Sequence, residues 1–296
     1  MGKAKEHTDE ELLKDLIEVE ASDLFVAGAV LITIGTIITA LSLTEVYLTR
    51  SPQGAWGIVV GNGIESVGNV VQYMGNEKEY SLEPSGPIRT EMTGNLLQAI
   101  GNAGNAFFVA EGINLYRYTF TDSGSRAAMN QENTGGQFRN TASQQPSTAT
   151  ATGTNMQTAE GTTGTAAETA EEETTPEEEA IESKLKFSIA MDGLSSAIQS
   201  LGAFLEAKGT TRQEPYPEQG IKATSEYITG IGAFIEAIGS LLAVNEQELQ
   251  GTKLQVIGAW TQVGAAGLDV YASTSFSASK RREFEENRYT YGQSIN

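Results

Sequence analysis

GNGIESVG, residues 61–68, carries a glycine at each end of an otherwise helix-compatible run, and the pattern returns as GNLLQAIG at 94–101 and GAFIEAIG at 232–239. SSAIQSLG at 195–202 keeps the final glycine. GAVLITIG at 28–35 keeps both but has Ile32 in fifth place, and GAWTQVG at 258–264 is one residue shorter. The shared order is a small residue first, Ile or Leu fourth, Glu or Gln fifth, Ala or Ser sixth, an aliphatic seventh and Gly eighth. Gly28, Gly61 and Gly94 stand 33 residues apart, and a fixed step of this length marks a structural repeat. Six units result, three between about 23 and 120 and three between about 184 and 276.

The period inside a unit is helical. The aliphatics at offsets three and six and the glycine at offset seven fall on one side of a helix wheel. Turn-forming residues separate the units: Ser51-Pro52, EPSGP at 83–87 and PYP at 215–217. A step of 33 residues leaves about 25 for a helix about 37 Å long. Helices with short connections fold up and down against one another. Between the trios, residues 141–180 hold twelve threonines, eight glutamates and no basic residue, with Met156 the only large apolar side chain. Such a segment buries too little surface to offset its ordering entropy and is expected to be disordered. The expected fold is all-α: two three-helix repeat halves with Gly-rich close packing, joined by a disordered acidic Thr/Glu-rich linker. Its expected parts are a charged helical extension at 1–22, the first half at 23–120, the linker at 121–182, the second half at 183–276 and a charged tail at 277–296.

A glycine inside a helix costs about 1 kcal/mol relative to alanine. Two per unit over six units is about 12 kcal/mol, comparable with the whole net stability of a domain. Close approach of a neighbouring backbone offsets such a cost, because glycines one heptad apart open a groove about 10.5 Å long. The expected helix-packing residues are Gly28, Gly35, Gly61, Gly68, Gly94, Gly101, Gly202, Gly232, Gly239, Gly258 and Gly264. In the alternative, the glycines mark breaks between shorter helices. The fifth-place residues Glu65, Gln98, Gln199, Glu236 and Gln262 lie about 40° round the wheel from the stripe. They suit a polar seam between helices or, as such residues more often do, the solvated edge of an amphipathic helix. Trp56, Phe234 and Trp260, each after a Gly-Ala pair, are expected as core anchors beside the grooves.

Several chemistries are set aside. The chain has no cysteine, and its one histidine, His7, sits in a polar segment near the N-terminus. No thiol chemistry, histidine metal centre or Ser-His-Asp triad is therefore expected. Glu65 and Glu236 fall in different halves and outside any ExxH context, so no catalytic pair is assigned. No catalytic, cofactor-binding or metal-ligating residue is expected, and no cofactor. A formal charge of -19 opposes nucleic-acid binding. Lys280, Arg281 and Arg282 are followed at once by acidic residues and suit a charged helix end.

Residues 24–43, LFVAGAVLITIGTIITALSL, carry no charge and are long enough to span a bilayer. Asp23 and Arg50 flank them, a weak hint that the Arg50 side faces the cytoplasm.

The pieces Gly54-Ala55-Trp56, GNLLQAIGN at 94–102 and IQSLGAFLEA at 198–207 resemble an uncharacterised family of small repetitive proteins from bacilli and related Gram-positive bacteria. That family is built from units such as GAW-x-QAIG and GN-x-LQA-x-GN. The resemblance implies the repeat and carries no activity.

The functional expectation is a non-enzymatic, Gly-rich helical repeat protein, cytoplasmic, acting by self-association or by packing against a partner protein, with no nucleic acid involved. Its alternative is a membrane-anchored or membrane-inserting, pore-forming-like helical protein using residues 24–43. The polar residues near the middle of the other units weigh against several spans, since a charge at the bilayer centre costs about 2.5–3.5 kcal/mol.

Overall fold

The computed structural model describes residues 8–51, 54–133 and 175–294, with side chains over 8–51, 54–115 and 175–292. These residues form six helices: α1 Asp9–Thr49, α2 Ala55–Leu82, α3 Gly86–Asn133, α4 Pro176–Thr210, α5 Gln219–Val244 and α6 Glu248–Ser294. The all-α expectation holds, with three helices on each side of the acidic segment. The expected disorder over 134–174, and His7, lie outside the described residues.

Local chemistry sets the helix ends. Thr8 and Glu11 form a reciprocal capping box at the start of α1, and Thr175 and Glu178 form another at α4, where Pro176 occupies the first turn. In each box the hydroxyl accepts from an otherwise unpaired N–H while the Glu carboxylate accepts from the cap residue. Helix α4 therefore begins inside the expected linker, at a TPEE signal. Arg50, with φ 56°, closes α1. Gln219 donates to the carbonyls of Thr210 and Gln213 and ties the turn from α4 to α5.

Each helix packs against its neighbours in the chain, and α6 packs against α1, so the six close into a ring. Short turns make successive helices antiparallel. One end of the ring holds the α1–α2 and α5–α6 turns, here called the Arg50 end. The other holds the start of α1, the α2–α3 and α4–α5 turns and the end of α6, here called the terminal end. At the terminal end the outer turns of α1 and α6 run on together. Lys280 meets Glu18 at 2.6 Å, Arg281 meets Asp23 at 2.6 Å, and Asn287 donates to Asp15 at 2.8 Å.

The repeat glycines lie at three of the six interfaces, mostly in reciprocal pairs, while Gly193 and Gly230 meet Ser240 and Phe204 side chains across α4–α5. A Cβ at Gly28 would meet the Gly68 carbonyl at 2.8 Å, and one at Gly68 would meet the Gly28 carbonyl at 2.9 Å. Gly35 and Gly61 stand likewise between α1 and α2, Gly94 and Gly202 between α3 and α4, and Gly232 and Gly258, with Gly239 and Gly251, between α5 and α6. Gly101 faces the carbonyl of Ser195, the small residue that opens the fourth unit. Gly264 is the exception: nothing lies within 4 Å of a Cβ built there, and the residue is exposed. Gly251 takes its place. The sixth unit is GTKLQVIG at 251–258, in full eight-residue register, and the shorter GAWTQVG is not the unit. The alternating interfaces are joined by hydroxyls. Ser66 donates to the Ala99 carbonyl at 2.9 Å, Ser200 to Gly230 at 2.8 Å and Thr33 to Ala266 at 3.3 Å.

Candidate functional site

The ring is polar inside and apolar outside. Its eleven largest fully buried side chains, Gln72, Glu91 and Glu206 foremost, are all Gln, Glu, Asn, Thr or Ser. Among the described residues the buried hydrophobic side chains larger than alanine are only Val19, Phe25, Leu43, Ile58, Ile88 and Ile113, and all six sit towards the two ends. The fifth-place residues of the second to fifth units occupy the middle: Glu65 is 3% exposed and Gln199 2%, with Gln98 and Glu236 also buried, and Gln262 is buried beside them. This overturns the solvated-edge reading. At about 40° from a glycine stripe that faces the adjacent helix, the fifth position is turned into the ring, while the seventh, about 100° from the stripe on its other side, is turned out. Accordingly Val67, Ile100, Leu201 and Ile238 are exposed. Trp56, Phe234 and Trp260 also point outward, Phe234 with 55% of its surface exposed, and none is a core anchor.

Hydrogen bonds link the interior polar groups across helices. Thr39 donates to Glu65 at 3.0 Å, Gln199 to Gln262 at 2.8 Å, Gln72 to Asp269 at 2.8 Å and Gln98 to Glu206 at 2.7 Å. Among the described residues Lys222 is the one buried basic side chain. Its ammonium stands 3.7 Å from Glu91 and 4.0 Å from Glu206, and 4.7 Å from the centre of the Phe25 ring. Near it, at the terminal end, burial and then the Glu91 carboxylate push Glu79 up to about 7, against the pull of Lys222. Buried polar groups on this scale demand partners, and one oxygen each of Glu91, Glu206, Glu236 and Gln199 accepts no hydrogen bond from the chain. Voids at the middle of the ring and beside Lys222 measure about 10 and 60 Å³. At the Arg50 end a cavity of about 300 Å³ opens, with Asp192, Glu236, Asn62 and Asn105 among its polar lining and Phe108, Ile189 and Leu43 among its apolar lining. Among the described residues no group of three His, Asp or Glu is arranged to hold a metal ion.

The outer surface carries a continuous apolar band. Val30, Ile34 and Ile37 on α1, Val60 and Val70 on α2, and Leu96 and Phe107 on α3 are exposed. So are Leu194 and Phe204 on α4, Ile231 and Leu241 on α5, and Ile257 and Leu268 on α6. On α4 the band runs uncharged from 187 to 207 between Lys186 and Lys208 apart from half-buried Asp192 and buried Glu206, about 31 Å of helix. Trp56 and Trp260 lie towards its Arg50 edge and Tyr227 and Tyr271 towards its terminal edge. By length and composition α1 and α5 can each cross a membrane.

A family model for a family of unknown function, DUF6944, matches residues 23–114 and 132–270. No curated protein and no solved structure matches the chain.

Proposed function

The chain belongs to this family of unknown function, and from its geometry we propose that it is a non-enzymatic integral membrane protein, a ring of six spanning helices around a polar interior. One observation carries the reading: the exposed apolar band runs round all six helices and is about as tall as a bilayer's hydrocarbon core. A soluble monomer rarely exposes an apolar patch beyond a few hundred Å². A protein partner covers one side, whereas lipid covers every side. The polar mid-helix residues that weigh against several spans in the sequence face the ring interior, where intramembrane polar groups belong. Tyr and Trp near the band edges suit the two interfaces, and glycine pairs at helix contacts suit packing in lipid.

The short turns and helix ends also orient the ring. Among the described side chains, Lys78, Arg89, Lys208, Arg212, Lys280 and Arg281 lie at the terminal end, against Arg50, Lys184, Lys186 and Lys253 at the other. Basic residues near span ends favour the cytoplasm, so the terminal end is the cytoplasmic one, the reverse of the hint from Arg50 alone. A carbonate wash of membranes from expressing cells tests the reading: the full chain stays in the pellet and leaves it only with detergent. Recovery in the carbonate supernatant refutes it. Because the chain lacks cysteine, single cysteines at Ser51 and Thr211 then report orientation through an impermeant maleimide, which labels the first and spares the second in intact cells.

A further inference from the structure

The cavity at the Arg50 end combines features that the ring does not need for packing. Its floor holds two carboxylates from facing helices. Asp192 of α4 accepts from Ser240 at 2.9 Å, and that hydroxyl in turn accepts from Gln255 at 2.9 Å, which fixes the Asp192 oxygen in place. Glu236 of α5 is only 8% exposed, lines the same cavity, and leaves its Oε1 without any donor from the chain. Among the described residues no basic side chain lines the cavity, and the buried ammonium of Lys222 stands at the opposite end of the ring. Above the floor the walls are apolar, with Leu43, Ile58, Phe108 and Ile189, and Glu248 adds a carboxylate at the mouth.

We propose that this vestibule binds a small organic ammonium ion, the cationic group against Glu236 and Asp192 and an apolar substituent against Phe108 and Ile189. A buried carboxylate oxygen calls for a charged donor more than a neutral one, since charge-assisted hydrogen bonds are about twice as strong. An alkali or alkaline-earth ion needs a shell of about six or more oxygens, which the apolar walls do not offer, whereas an ammonium carries its own donors and turns its substituent to those walls. A volume of about 300 Å³ lies at the small end of ligand sites and suits a cation the size of phenethylammonium. The carboxylate at the mouth raises the local concentration of cations. This site goes beyond the membrane reading and does not depend on it.

Calorimetric titration of the purified full-length chain with phenethylammonium chloride tests the proposal. The expected result is saturable one-site binding, with 2-phenylethanol, the neutral analogue, binding at least tenfold more weakly. Glu236→Gln, which keeps the side chain's shape, lowers affinity at least tenfold, and Glu79→Gln at the far end leaves it unchanged. Ile189→Trp, which fills the vestibule from its apolar wall, abolishes binding by a route independent of charge and covers the case in which Glu236→Gln does not fold. Equal binding of the alcohol, unchanged affinity in both vestibule variants, or displacement by an equal concentration of KCl overturns the proposal. Should the chain prove soluble in carbonate, the same titration in plain buffer still decides the vestibule, so the two readings fail separately.

Discussion

Replacing Gly94 by alanine tests the close approach on which the ring is built. A Cβ there would lie 2.7 Å from the Gly202 carbonyl and 2.7 Å from the Glu206 amide nitrogen, with the Glu206 Cβ at 2.9 Å. All three belong to the α4 backbone or its first side-chain atom, so no flexible group can swing aside. Helices α3 and α4 must part by about half an ångström or more, and forcing a methyl into a packed contact costs about 1–3 kcal/mol. Alanine's better helix propensity returns about 1 kcal/mol. The net loss expected is about 1 kcal/mol, rising to about 2 if α4 is held firmly by α5. Gly202→Ala meets the Gly94 carbonyl at 2.7 Å and behaves alike. The double variant loses less than the sum, because one parting of the helices admits both methyls and neighbouring sites couple. Gly264→Ala, where nothing lies within 4 Å, gains up to about 1 kcal/mol. Denaturant unfolding followed by circular dichroism, with all four proteins in the same detergent, measures these differences. If Gly94→Ala unfolds later than the parent chain, as Gly264→Ala is expected to, the helices do not approach as described and the argument for the glycine stripe fails.

Two further outcomes follow from the terminal end. Lys222→Met strands the buried Glu91 and Glu206 carboxylates without their counter-charge, and loss of one partner of a buried pair costs about 3–5 kcal/mol. The same unfolding assay shows it, and adding Glu91→Gln recovers part of the loss. Glu79, with its acid pushed up to about 7 mainly by burial, favours the neutral form in the folded chain. Its contribution is fully present below the ordinary carboxylate range near 4.5 and is lost as pH rises through about 7. Glu79→Gln therefore flattens the fall in melting temperature between pH 4.5 and 8, and an unchanged slope refutes the assignment.

Much of the fold was legible because it rests on local rules. The helical period of GNGIESVG and its relatives, the proline-bearing turns and the step of 33 residues specify six antiparallel helices. The cost of glycine within a helix points to close contacts, as found at Gly28, Gly35, Gly61, Gly68, Gly94, Gly101, Gly202, Gly232, Gly239 and Gly258. The last unit escapes the sequence reading because GTKLQVIG carries Lys253 in third place, where the other units have a small or apolar residue, while GAWTQVG reproduces the more familiar Gly-Ala-aromatic piece. The vestibule was not legible at all. Its floor joins Asp192 to Glu236, and its walls bring Leu43 of α1 towards Phe108 of α3 and Ile189 of α4, a meeting that only closure of the ring creates.

Periodicity states which residues share a helix face, and here the sequence by itself determined that Glu65, Gln98, Gln199 and Glu236 lie on one face and the seventh-place aliphatics on another. It is silent on which face turns inward. A wheel with one polar and one apolar side is the same object in water and in lipid, and the usual expectation puts the apolar side in the core. Only the tertiary structure decided otherwise. With each glycine pressed against its antiparallel partner and α6 closed onto α1, the rotation of every helix is fixed, and that rotation buries the glutamates and turns the aliphatics outward.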